Sequence, residues 1–279
     1  MWRNYWTVAV RALAKSKTYS IINIAGLAIG MAACIMILLY IRYEQSYDNW
    51  LPDAENTYQF QTSGANPDTG EEFNFQMASY ITRERVKKDF PQVIDTAYIL
   101  STAPVFLKDG QATSTEDYVY ADSDFLKVVN LPLAAGTTLT APQTAVISQE
   151  EAKKRYGTDQ VVGRTLTVIS RGIKRDFKIN GVLKDIPKNS HMKFAAILRL
   201  DFKAFFAEDP FFLTCWGCQS GYVYAKMRPG TNAEQLNAQL PAWEKRNIPD
   251  EDIGGMMINP GENQNWRFTN VRDVHLGKA

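Results

Sequence analysis

The chain opens on two contrasting apolar patterns. Over residues 1–20, Trp2, Tyr5, Trp6, Ala9 and Leu13 recur at helical spacing, with Arg3, Asn4 and Arg11 elsewhere on the wheel. Such a stripe describes either an amphipathic helix lying along lipid headgroups or a plain flank with an aromatic anchor. From Ile21 to Ile41 the periodicity vanishes: IINIAGLAIGMAACIMILLYI carries no charge, and only Asn23 is strongly polar. At about 1.5 Å per residue this run covers roughly 30 Å, the thickness of a bilayer's hydrocarbon core. Every backbone amide there needs a partner inside its own segment, so a transmembrane helix is predicted over 21–41. The run is too long for a typical signal peptide. Met31-Ala32-Ala33-Cys34 loosely imitates a lipoprotein processing site, yet cleavage there would leave the apolar stretch Ile35–Ile41 exposed at a new N-terminus.

After Arg42 the pattern becomes that of a soluble domain. Strands are predicted at Thr96–Leu107, Tyr118–Ala121, Thr144–Ile147, Thr165–Ile169, Phe177–Leu183 and Tyr222–Met227. Ser148 with Glu151 forms a capping box for a helix over Gln149–Tyr156 that closes at Gly157. Thr231 with Glu234 offers a second box before a helix over Ala233–Arg246, which Pro241 should kink or end. Asp122 is predicted to cap a short helix through Phe125 and Leu126, and Tyr80–Asp89 reads as a charged surface helix. Strands and helices that do not alternate regularly predict an α+β domain.

Charge adds an orientation. Residues 1–20 carry Arg3, Arg11, Lys15 and Lys17 and no acid, whereas 42–60 carry Arg42 against Glu44, Asp48, Asp53 and Glu55, which keeps the N-terminus in the cytoplasm. Over the whole chain of 279 residues, 31 basic and 30 acidic side chains leave a formal charge of +1, which excludes the electrostatic footprint of a general nucleic-acid binder. The mean hydropathy of -0.28 confines membrane-embedded material to a short stretch.

Chemistry is sparse. The Gly-Lys pair Gly277-Lys278 has no phosphate-binding loop around it, and no GxSxG, HExxH or GxGxxG occurs. No enzymatic activity, cofactor or metal site is therefore expected, and His191 and His275 read as lone surface or turn histidines. Gly26-Leu27-Ala28-Ile29-Gly30 is a GxxxG, extended by Ala33 and Cys34 a turn further. Small residues on one face let a second helix approach closely, so Gly26 and Gly30 are candidates for helix packing. Cys215-Trp216-Gly217-Cys218 is open to several readings: a redox pair, half a zinc site, a local disulfide or two reduced buried thiols.

Across nearly its whole length the chain also resembles the first half of a permease of the MacB/FtsX type, the membrane partner of an ABC transporter ATPase. Ala12-Leu13, Lys17-Thr18-Tyr19-Ser20 and Asn23 to Gly30 look like that family's first membrane helix. Ser46-Tyr47-Asp48 and Pro52 to Tyr58 resemble the entry to its periplasmic core domain. Asp124-Phe125-Leu126, Leu131-Pro132-Leu133, Tyr156-Gly157, Val162 to Leu166 and Asp185-Ile186-Pro187-Lys188-Asn189-Ser190-His191 follow in the family's order. By themselves Pro187, Asn189 and Ser190 build a turn after a strand.

The resemblance implies a bacterial inner-membrane protein with a cytoplasmic basic leader over 1–20, a span over 21–41 and a two-lobed, mixed α/β periplasmic core domain over 42–273. It implies that 274–279 approach a second membrane helix absent from this sequence. The expected partners are a cytoplasmic ABC ATPase subunit, a second permease copy and the lipid bilayer, with no nucleic acid. ATP hydrolysis by the partner would drive motion of the periplasmic domain in export or efflux. The alternative is a single-pass sensor or scaffold whose periplasmic domain binds a ligand.

Overall fold

The computed structural model describes residues 2–65, 72–101, 105–108, 111–114, 117–170, 173–253 and 255–277. They form two compact units, Met1–Ser46 and Tyr47–Ala279. In the first, helix α1 (Trp2–Lys15) is followed by α2 (Lys17–Glu44). Ser16 lies between them, and the Ser20 hydroxyl donates to the Leu13 carbonyl at 2.9 Å. The 28 residues of α2 exceed the predicted 21–41 at both ends because nothing in Lys17–Ser20 or Arg42–Glu44 breaks a helix. Its length and composition suffice to cross a membrane, and Ser20 is its only buried side chain.

The second unit is built on a mixed sheet. Its strands are β1 (Thr57–Ala65), β2 (Glu72–Phe75), β3 (Val93–Ser101), β4 (Val105–Lys108), β5 (Gln111–Ser114), β6 (Tyr118–Ala121), β7 (Leu133–Gly136), β8 (Thr144–Ser148), β9 (Thr165–Ser170), β10 (Ile173–Leu183), β11 (Ala196–Arg199) and β12 (Tyr222–Met227). β13 (Glu251–Ile253) and β14 (Met256–Ile258) form a separate hairpin, and β15 (Gln264–Asn270) returns to the sheet. The path runs β15-β1-β12-β3-β6-β11-β8-β10-β9-β4-β5, with β2 added on β1 and β7 on β10. Among the described residues only β6/β11 and β8/β10 pair in parallel. The domain is α+β.

Side chains alternate across this sheet with period two, and each face carries its own core. Ala97, Ile99, Val119, Ala121, Val146, Ile197 and Tyr224 pack with Leu51, Phe125 and Val271 on one face. Tyr98, Leu100, Tyr118, Tyr120, Ile147, Leu198 and Val223 pack with Phe202, Trp216 and Trp243 on the other. At about 25 cal/mol per Å² of buried apolar surface, two such layers supply the bulk of the folding drive. The edge presented by β15 is blocked rather than left open. Asn237 donates to the Phe268 carbonyl at 3.0 Å and accepts from its amide at 2.8 Å, while Glu244 accepts the Trp266 amide at 2.9 Å. Side-chain groups thus replace a neighbouring strand.

Several boundaries differ from expectation. The predicted run Thr96–Leu107 divides between β3, which begins at Val93, and β4; residues 102–104 lie outside the described set. The helix expected over Ala233–Arg246 is two helices, Ala233–Asn237 and Leu240–Asn247, because Pro241 sits in the first turn of the second, where its missing N–H costs no bond. Asn232, not Thr231, caps the first, accepting the Gln235 amide at 3.1 Å. The Thr231 hydroxyl instead donates back to Arg228. Helix α3 (Tyr80–Asp89) lies where it was predicted. Asp124 rather than Asp122 precedes α4 (Phe125–Val129). Helix α5 (Gln149–Tyr156) follows the capping box: Ser148 accepts the Glu151 amide, and Gly157 closes it at φ +71°.

Asp122 does different work. Its carboxylate accepts the amides of Tyr98 at 2.7 Å and Asp124 at 3.1 Å, and lies 3.1 Å from Arg83 Nε. Burial pushes its pKa up to about 6, although Arg83 and the two amides favour the charged form. A raised folded-state pKa means that the folded chain binds this proton more tightly than the unfolded chain does. The stabilisation is therefore complete below about pH 4 and is lost as pH rises through about 6. Denaturant unfolding at pH 4 and pH 7 should show the wild type losing of order 2 kcal/mol relative to Asp122→Asn over that interval. A pH-independent difference between the two would contradict this.

Candidate functional site

The site forms where the chain enters the domain. Beyond Glu44 the helix is closed by Gln45, whose amide donates to Ile41, and three residues later Asp48 takes the left-handed conformation at φ +56°, which aspartate tolerates better than most residues. This turn aims its carboxylate inward, where it is fully buried. It accepts the Ser190 hydroxyl at 2.6 Å, the His191 amide at 3.2 Å and the His191 Nδ1–H at 2.7 Å. The Asp48 amide donates to the Asn189 carbonyl at 3.0 Å. A buried carboxylate is costly unless its oxygens are satisfied, and this one has several donors from one turn.

The bonding continues across the sheet. With Nδ1–H committed to Asp48, His191 Nε2 accepts the Tyr224 hydroxyl at 3.0 Å. Gln59 donates to that hydroxyl at 3.3 Å, Gln61 to Gln59 at 2.7 Å, and Thr269 to Gln61 at 2.9 Å. A chain of buried polar groups therefore runs from the entry turn over β12 and β1 to β15. Burial, with Asp48's charge second, raises the Tyr224 phenol well above its ordinary value. The Asp-His-Tyr series fastens the entry turn to the sheet.

Entry and exit of the domain lie side by side. β1 pairs antiparallel with β15, with Tyr58 opposite Asn270. Asn270 Nδ2 donates among the carbonyls of Ala54, Glu55 and Thr57 at 3.0 to 3.3 Å. The Tyr47 ring stacks on His275, centroids 3.4 Å apart and planes 2° from parallel. Lys226 pairs with Asp53, and this hydrogen bond is the main reason that carboxyl lies below its usual range.

His191 is thus no lone surface histidine: its side chain is 9% exposed and bonded at both ring nitrogens. Arg3, Arg11 and Lys15 stand exposed on α1 and Lys17 opens α2. Gly26 and Gly30 lie one turn apart on α2, where an added Cβ would meet nothing within 4 Å. Cys215 and Cys218 are joined by a disulfide, and the amides of Trp216 and Gly217 inside the loop donate to the Glu251 carboxylate at 2.7 and 3.1 Å.

An apolar helix long enough to cross a membrane is followed by an α+β domain whose first and last long strands pair. The model of the MacB-like periplasmic core domain matches residues 20–243, and the chain belongs to that family. Among solved structures it is similar to a domain of a protein described as a permease from Porphyromonas gingivalis, at 22% identity and a TM-score of 0.60, covering 80% of this chain and 92% of that one. It is also similar to the periplasmic region of MacB from Actinobacillus actinomycetemcomitans, at 14% identity and a TM-score of 0.51, with the same coverages. These two likenesses show the fold. No curated protein sequence matches. The chain carries the periplasmic domain of an ABC-type transporter permease, a transport component and not an enzyme of the ordinary kind.

Removing Asp48 would leave the His191 ring, its amide and the Ser190 hydroxyl without their acceptor. Asp48→Ala should lower stability by roughly 3 kcal/mol, and Tyr224→Phe by roughly 1 kcal/mol. Thermal unfolding of the solubilised chain checks the order, which a larger loss in Tyr224→Phe would reverse.

Proposed function

We propose that this chain is the N-terminal half of an ABC-type permease that couples ATP hydrolysis by a cytoplasmic partner ATPase to motion of its periplasmic domain, for export or efflux. The observation that carries the reading is the Asp48 fastening. It lies four residues past the end of α2, and those four steps of chain can span at most about 14 Å. So short a connection leaves little slack between a helix driven from below and the sheet that must respond.

The other features agree with this arrangement. The basic leader, Arg3, Arg11, Lys15 and Lys17, keeps the N-terminus in the cytoplasm of a bacterial inner membrane, within reach of an ATPase subunit. Gly26 and Gly30 present a smooth face for another membrane helix, from the same assembly or from a second permease copy. The Cys215–Cys218 disulfide suits an oxidising compartment. Entry and exit strands paired side by side allow both ends of the domain to face one membrane.

A photoreactive residue at Thr7 of α1 tests the coupling. Irradiated cells should yield adducts of this chain with a cytoplasmic ATPase subunit. Adducts with periplasmic proteins alone would contradict both the partner and the orientation.

A further inference from the structure

The disulfide between Cys215 and Cys218 closes a four-residue ring on which a second element rests. Trp216 holds the ring to the domain: its side chain is buried and meets the rings of Trp243 and Trp266 edge-on, centroids 5.7 and 6.4 Å apart. With that side chain turned inward, the Trp216 and Gly217 amides donate to the two oxygens of the Glu251 carboxylate at 2.7 and 3.1 Å. Glu251 opens the β13–β14 hairpin, which has three residues in each strand and pairs with no other strand among the described residues. A two-stranded hairpin alone is marginal in water, so its place depends on its anchors. Asp252 accepts the Gly255 amide at 2.7 Å and Asn259 donates to Asp250 at 2.9 Å, bonds that close the hairpin on itself and reach no other element. The hairpin turns Met256 and Met257 to solvent, 69% and 67% exposed.

We propose that the Cys215–Cys218 disulfide is a redox-controlled latch, which seats this hairpin through Glu251 when closed and frees it when a dithiol reductant opens the ring. Ring closure removes most of the freedom that Gly217 would give an open loop, so the two amides are held ready for one carboxylate. An opened loop must order those residues again each time Glu251 docks, an entropic cost that favours the free hairpin. The two sulfurs are unequally placed: Cys215 is buried and Cys218 half-buried, so an incoming thiolate reaches Cys218 first. Its attack breaks the S–S bond, joins the reductant to Cys218, and expels Cys215, which takes up a proton. The reductant's second thiolate then attacks its own sulfur in that mixed disulfide, and Cys218 leaves as the second protonated thiol. Two electrons pass to the protein with the two protons the dithiol gives up, and the reductant ends as a disulfide. The latch rests on the ring and the hairpin alone and stands apart from the transport reading.

Hydrogen exchange of the full chain in nanodiscs, read by mass spectrometry over 251–258 with and without dithiothreitol, tests the latch. Reduction should speed exchange of the hairpin amides about tenfold or more, while β3 and β12 stay unchanged. Glu251→Ala, its disulfide intact, should exchange as fast as the reduced protein and gain nothing further on reduction. The double variant Cys215→Ser, Cys218→Ser should match it without reductant. Should that variant fail to fold, the reduced wild type and Glu251→Ala carry the test. A hairpin whose exchange ignores reduction or stays slow in Glu251→Ala would overturn the proposal. So would a disulfide that the native protein keeps in dithiothreitol, or a rise shared equally by β3 and β12, which would make the bond a general staple.

Discussion

Inside hydrocarbon a backbone amide has no water to turn to, and that is the constraint to which the first unit of this chain is suited. It is met by the stretch from Lys17 to Glu44, one unbroken helix long and apolar enough to cross a membrane. It also fixes where polar chemistry begins. Asn23 apart, the first strongly polar side chains after Ser20 are Arg42 and Glu44, and the first buried charge is Asp48. The helix is smooth at Gly26 and Gly30 and makes no internal use of its apolar surface, since no side chain of it beyond Ser20 is buried.

Within the second unit the entry turn is itself a fixed point. A carboxylate buried after a left-handed residue is expensive in isolation, and it persists because Ser190 and His191 bring donors from a turn 142 and 143 residues away. The links from His191 to Tyr224, Gln59, Gln61 and Thr269 spread the same bonding over three neighbouring strands. Partial loss of such a network is costly because each buried group left over pays its own desolvation penalty. Asn270 and the Tyr47–His275 stack tie the exit to the entry, so the two ends of the domain are held as one structural feature.

The long apolar helix, the α+β class and most strands were legible because hydrophobic periodicity and turn residues are local signals. Tyr118–Ala121 and Tyr222–Met227 have the predicted bounds, and the Ser148 box with Gly157 caps its helix as such residues do. Errors came where a local cue competed with tertiary context. Thr231 and Asn232 both satisfy a cap pattern, and the position of Pro241 in a new helix's first turn decided the break. The fastening was not legible from spacing at all. Asp48, Ser190, His191 and Tyr224 are separated by far more than any local motif, and the ordered Asp185–His191 segment, read as a turn, hid a second role that only the sheet's register brings to Asp48.

The proposed function needs Lys17–Glu44 to cross the bilayer and deliver Tyr47 to the periplasmic side. The most direct measurement fuses an enzyme that matures only in the periplasm, alkaline phosphatase, after Tyr47 and assays intact cells. The account predicts an active enzyme that stays with the membrane through alkaline carbonate extraction. An inactive fusion retained in the cytosol, or one released by carbonate, would contradict it.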